Sequence, residues 1–81
     1  MIVIYSKNNC IFCAQAKRLM EKHDIEFTEV RIDEDDAARE FMINQGHRTV
    51  PQIYRDGALL IEGGYTGLVK QSDTFFTALK G

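Results

Sequence analysis

An α/β fold built on one mixed sheet is predicted for this 81-residue chain by three observations. An apolar run at residues 2–6, an amphipathic stretch from about 10 to 23 and an alternating stretch at 26–32 read as strand, helix and strand, expected to form a right-handed βαβ unit. A second helical stretch follows the acidic cluster Asp33–Asp36. Asp56-Gly57 then separates two short apolar runs in the manner of a two-residue hairpin turn, so the last two strands are expected to be antiparallel. Strand–helix–strand, helix, hairpin and a closing helix together fit one layered domain over residues 1–81.

Each element has a local reason. Ile2-Val3-Ile4-Tyr5-Ser6 is β-branched and aromatic almost throughout, which suits a central strand covered on both faces. Lys7-Asn8-Asn9 breaks that run, and an asparagine side chain there can serve the start of a helix from Cys10 to His23. Phe12, Cys13, Ala16, Leu19 and Met20 mark its buried face; Gln15, Lys17, Arg18, Glu21 and Lys22 can stay in water. In the second strand Thr28, Val30 and Ile32 alternate with Phe27, Glu29 and Arg31. Asp33–Asp36 reads as a helix-opening cluster rather than a metal site, and Gly46 as the stop of that helix. Gln52–Arg55 and Ala58–Ile61 are the hairpin strands, and Leu68, Val69, Phe75, Phe76 and Leu79 predict a single last helix.

Composition narrows the function classes. With 44% hydrophobic residues, a net charge of -2 and one proline, the chain lacks the signature of disorder, of a basic nucleic-acid surface or of an acidic tail. The apolar opening Met1–Tyr5 is too short for a membrane span or a signal peptide, so a cytoplasmic monomer without nucleic-acid or membrane partners is expected.

The chemistry lies in Cys10-Ile11-Phe12-Cys13, where a strand runs into a helix. Cys10 would sit at the helix opening, where unpaired backbone N–H groups and the dipole favour a thiolate, making it the expected nucleophile. Cys13, three residues on and on the same face, can attack a mixed disulfide formed at Cys10 and is the expected resolving thiol. A disulfide closing so short a loop restricts the unfolded chain little, which argues against a structural staple.

Four separated pieces carry a resemblance: Tyr5-Ser6-Lys7, the Cys10–Cys13 motif, Arg48-Thr49-Val50-Pro51-Gln52 and Gly63-Gly64-Tyr65. In these the chain resembles the glutaredoxin family, along essentially its whole length. The resemblance implies a thioredoxin-like fold with a four-stranded mixed sheet of order 2-1-3-4, three helices, and a cis Pro51 facing the cysteines. It also implies a glutathione groove. Val50 would pair its extended backbone with the cysteinyl residue of glutathione, Lys7 and Arg48 would attract its carboxylate, and Phe12, Thr49, Pro51, Gly63, Gly64, Tyr65 and Thr66 would line the rest. No permanently bound cofactor and no metal are expected; glutathione enters as reductant and co-substrate.

The departures from the family pattern shape the functional expectation. Ile11 and Phe12 stand where many dithiol glutaredoxins carry proline and tyrosine, and Thr66-Gly67 where many carry acidic residues. The approach Asn44-Gln45-Gly46-His47-Arg48 is similar to that of small redoxins that serve ribonucleotide reductase and take electrons from thioredoxin reductase. The leading expectation is a dithiol glutaredoxin that reduces protein disulfides and glutathione mixed disulfides, regenerated by glutathione and, behind it, glutathione reductase. The alternative keeps the reaction and replaces glutathione by thioredoxin reductase; a third reading is an iron–sulfur or zinc module. His23 is expected to cap the first helix, His47 to lie at the loop surface, Tyr5 and Phe27 to be core, and Phe75-Phe76 to anchor the last helix.

Overall fold

The structure, a computed structural model, describes residues 1–80; Gly81, included in the expected domain, lies outside the described residues. Its elements are β1 (Ile2–Ser6), α1 (Ile11–Lys22), β2 (Thr28–Arg31), α2 (Asp36–Asn44), β3 (Gln52–Arg55), β4 (Ala58–Leu59), α3 (Gly64–Val69) and α4 (Asp73–Lys80). The four strands form one sheet in the order β2-β1-β3-β4. β1 pairs parallel with β2 across α1 and antiparallel with β3, so the sheet is mixed and β1 is central.

The apolar run of β1 divides between the two faces of the sheet. Ile2 and Ile4 enter the main core with Ala16 and Met20 of α1, Ile53 of β3, Leu68 of α3 and Phe76 of α4, all at most 4% exposed. Three helices therefore cover this face. On the other face Tyr5 packs against Phe41 of α2 and Tyr54 of β3, with ring centroids 5.6 and 5.4 Å apart, so α2 closes that side through aromatic contacts.

Caps set most of the element ends. Cys10 is the N-cap of α1 and His23 its C-cap, within one residue of the expected span. Asp35 caps α2 by accepting the Ala38 N–H at 3.0 Å, and Asp36 occupies its first turn. Beyond α2, Gly46 at φ +82° lets its own N–H reach the Ile43 carbonyl and the His47 N–H the Met42 carbonyl, the expected glycine stop. In the hairpin Asp56 and Gly57 both take positive φ, 51° and 85°, as a tight turn with the right twist requires.

Four expectations about the fold need correction, the first being Phe12, which is 58% exposed rather than on the buried face of α1 because its ring turns outward to stack on Tyr65. The single last helix is two, giving four helices rather than three: Ser72 Oγ accepts the Phe75 N–H at 3.4 Å and Asp73 opens a new first turn, while the Gln71 amide donates to the Gly67 carbonyl of α3. A serine–aspartate step favours a fresh helix start over continuation. β2 is shorter than residues 26–32 and lies at the sheet edge; Thr28 and Arg31 are exposed and Val30 only half-buried, so its alternation does not sort into a buried and an exposed face. β4 stops at Leu59 rather than Ile61, although the Leu60 N–H still reaches the Ile53 carbonyl at 2.9 Å.

Candidate active site

β1 delivers the chain to a short loop, Lys7-Asn8-Asn9, in which Asn9 takes a left-handed φ of 57° before α1 begins. That loop is held from the far side of β2. Asp33 accepts the Asn8 backbone N–H at 3.0 Å, the Asn8 amide donates to Glu34 at 2.9 Å, and Arg31 donates to the Asn8 amide oxygen at 3.0 Å. The acidic cluster is therefore divided between two tasks: Asp35 and Asp36 open α2, while Asp33 and Glu34 anchor the loop that presents the cysteines.

Cys10 and Cys13 are joined as a disulfide with their Cα atoms 5.2 Å apart. The two sulfurs are not equivalent. Cys13 is buried at 2% exposure, whereas Cys10 is only half-buried at the mouth of α1. The Cys10 sulfur accepts the Cys13 backbone N–H at 3.2 Å and lies 3.9 Å from the Val50 carbonyl oxygen. A thiolate at Cys10 would keep the Cys13 N–H as a donor and gain from the helix end; one at Cys13 would be desolvated.

The Val50–Pro51 peptide bond is cis, as the family resemblance implies. Gln52, 6% exposed, braces the approach by donating to the Thr49 carbonyl at 3.0 Å. Opposite, Gly64 sits at φ +57° with its α-carbon so close to Pro51 that a Cβ there would collide with the Pro51 carbonyl oxygen. Among the described residues the Val50 N–H has no hydrogen-bond partner, so its backbone is available to an added strand.

Three depressions surround the disulfide. One of about 250 Å³ gathers Phe12, Thr49, Val50, Pro51, Gly63, Tyr65 and Thr66, with the Phe12 and Tyr65 rings stacked at 6.1 Å. Seven of the expected groove residues thus meet in one place, and none of them is charged. Lys7 and Arg48 lie together in a neighbouring depression of about 290 Å³ against α2, and Gly64 is buried under the proline loop. The third, about 480 Å³, lies behind the pair and is lined by both cysteines, Lys17 and Glu29. A larger concavity, about 710 Å³, is at the far end of β1 and contains no thiol.

Some site features escaped the sequence reading. Glu29 accepts Ser6 Oγ at 2.7 Å and Lys17 Nζ at 2.8 Å, and these bonds, Lys17 first, hold its carboxyl below the usual carboxylate range. The one available signal was that Lys17 stands one helical turn after Cys13. His47, expected at the loop surface, is half-buried with Nε2 2.7 Å from the Tyr54 hydroxyl, because that buried phenol needs a partner. His23 does more than cap α1: its ring stacks on Phe76 at 4.0 Å. Among the described residues no three His, Cys, Asp or Glu side chains group to hold a metal ion, and no helix is long and apolar enough to cross a membrane.

A four-stranded sheet of this order with a Cys-x-x-Cys disulfide at a helix N-terminus, facing a cis proline, defines a thioredoxin-like redoxin. The glutaredoxin family model matches residues 2–60, most of the chain, and this protein belongs to the glutaredoxin family of thiol–disulfide oxidoreductases. It is 41% identical over 56 residues to the glutaredoxin-like protein NrdH of Lactococcus lactis subsp. cremoris, covering 69% of this chain and 78% of that one. To Glutaredoxin 3 of Escherichia coli it is 43% identical over 56 residues, 68% of each chain. Among solved structures, the Escherichia coli NrdH-redoxin superposes with a TM-score of 0.75 at 25% identity, covering 99% of this chain and 95% of that one. A buckwheat glutaredoxin in complex with glutathione gives 0.77 at 24% identity, covering 98% and 74%, and shares the fold.

Proposed function

We propose that the protein is a dithiol redoxin that reduces disulfides in other proteins. The observation that carries this reading is the inequality of the two sulfurs, Cys10 half-buried at the helix mouth and Cys13 buried at 2% exposure. The Cys10 thiolate attacks one sulfur of a substrate disulfide and expels the other as a thiolate. Cys13 then attacks Cys10 Sγ, expels the remaining substrate thiol and leaves the Cys10–Cys13 disulfide. Two electrons pass to the substrate. The exposed Ile11 and Phe12, at 74% and 58%, provide an apolar edge beside Cys10 for a protein surface.

For the electron source we favour direct reduction by thioredoxin reductase, the arrangement expected of NrdH-like redoxins. The uncharged depression at Gly63–Thr66 supports it, since it offers the charged γ-glutamyl end of glutathione at most a hydroxyl and backbone N–H groups and no charged side chain. The solved NrdH-redoxin of Escherichia coli is itself described as having a thioredoxin-like activity profile. A second reading, reduction by glutathione, is favoured by one specific feature: the unpaired Val50 backbone beside the Cys10 sulfur, flanked by Lys7 and Arg48. Ribonucleotide reductase is the proposed protein substrate and the cytoplasm the proposed setting.

NADPH consumption in two parallel reactions distinguishes these readings. One contains thioredoxin reductase and a protein disulfide; the other contains glutathione, glutathione reductase and a small glutathione mixed disulfide. We expect turnover in the first reaction and little in the second. Turnover in the glutathione reaction alone would replace the favoured reductant, and silence in both would remove the redox assignment.

A further inference from the structure

Resolution poses a chemical problem that Cys10 and the helix N-terminus do not solve. Cys13 must lose its proton before it can attack, yet at 2% exposure it is in surroundings that disfavour a thiolate. The cavity behind the disulfide bears on this. Its volume of about 480 Å³ is ample for water, and among the described residues Glu29 is the only carboxylate that lines it. The other charged groups facing it are cations: Lys17 from α1, Arg31 from β2 and Lys7 from the loop before α1.

The carboxylate is held in a specific way. Ser6, fully buried at the end of β1, and Lys17, one helical turn after Cys13, both donate to Glu29 Oε2, at 2.7 and 2.8 Å. Arg31 Nε lies 3.6 Å from the same oxygen, and Arg31 is also drawn to Glu34 at 3.5 Å. None of these contacts uses Oε1. A carboxylate fixed through one oxygen keeps the other as a proton acceptor, and the cationic surroundings keep it ionised at neutral pH.

We infer that Glu29, held by Ser6 and Lys17, receives the Cys13 proton in the resolving step, an inference that rests on the dithiol reading above. The proton leaves Cys13 Sγ and passes through cavity solvent to Glu29. The freed electron pair forms the Cys13–Cys10 S–S bond while the bond from Cys10 to the substrate sulfur breaks. The departing thiolate takes a proton from solvent, and Glu29 returns its own to solvent. Lys17 and Ser6 are positioning residues.

The experiment is a stopped-flow reaction of the reduced full chain with the symmetric disulfide of thionitrobenzoate. Its coloured thiolate appears once when Cys10 attacks and again when Cys13 resolves. With Glu29→Gln, close in size to the native side chain, the first phase should stay within about twofold of wild type. The second should slow about tenfold or more at neutral pH, and recover as hydroxide takes over the proton at higher pH. With Lys17→Gln the carboxylate loses its main cationic partner, so the acid limb of the second phase should move to higher pH. An unchanged second phase in Glu29→Gln overturns the inference, as does equal slowing of both phases or an unmoved acid limb in Lys17→Gln. A wild-type protein that shows no first phase refutes the dithiol reading instead.

Discussion

Cys10→Ser should reduce turnover of every disulfide substrate to the background of solution, whereas Cys13→Ser should stop only after the first bond exchange. The asymmetry follows from geometry. Cys10 is the sulfur at the helix mouth, accepting the Cys13 N–H at 3.2 Å, and Cys13, the one thiol left in Cys10→Ser, is 2% exposed and out of reach of a substrate disulfide. Without Cys13 the first attack still occurs, and the substrate remains linked to Cys10 as a mixed disulfide because nothing intramolecular can displace it. Mass spectrometry of Cys13→Ser after mixing with a disulfide protein should therefore find about one adduct per chain. Residual turnover in Cys10→Ser, or no adduct on Cys13→Ser, would contradict the assignment of the two roles.

The second large effect is expected at Gly64. An alanine there would hold φ near +57° and also drive its Cβ into the Pro51 carbonyl oxygen, so either α3 or the proline loop must move. The backbone strain alone costs about 1–3 kcal/mol, and the collision adds to it. Gly46→Ala is the control: its φ of +82° is also unfavourable, but a Cβ would meet nothing within 4 Å. Urea unfolding should show Gly64→Ala losing distinctly more stability than Gly46→Ala, with disulfide reduction falling in Gly64→Ala alone. Equal losses would mean that the contact between α3 and the proline loop does not restrict the site.

The parts legible in the sequence were those whose cause is local. β1 could be read from five consecutive strand-forming residues, α1 from apolar steps of three and four, and the hairpin from Asp56-Gly57, which fixes its turn by its own φ preference. The cysteine pair was legible because three residues of separation at a helix opening impose the geometry by themselves. The division of the last helix was missed because Leu68, Val69, Phe75 and Phe76 supply an apolar count consistent with one helix, while the break depends on weak signals at Ser72 and Asp73. The networks were missed for a different reason. Ser6, Lys17 and Glu29 are far apart in the chain and meet only after β1, α1 and β2 have packed, and the same holds for Asn8 with Asp33. A charged residue on a helix or strand looks the same in sequence whether it is solvated or aimed at a buried partner. Tertiary pairing gave His47 its partner Tyr54 in the same way.

The account depends most on Cys10 being the reactive thiolate, and the pH dependence of alkylation tests that directly. The reduced protein is treated with a small excess of iodoacetamide across a range of pH, and the label is mapped by mass spectrometry. The account predicts a single label on Cys10, appearing already in mildly acidic solution, with Cys13 unmodified until the chain is unfolded. Label entering Cys13 first, or both cysteines at equal rates, would contradict it.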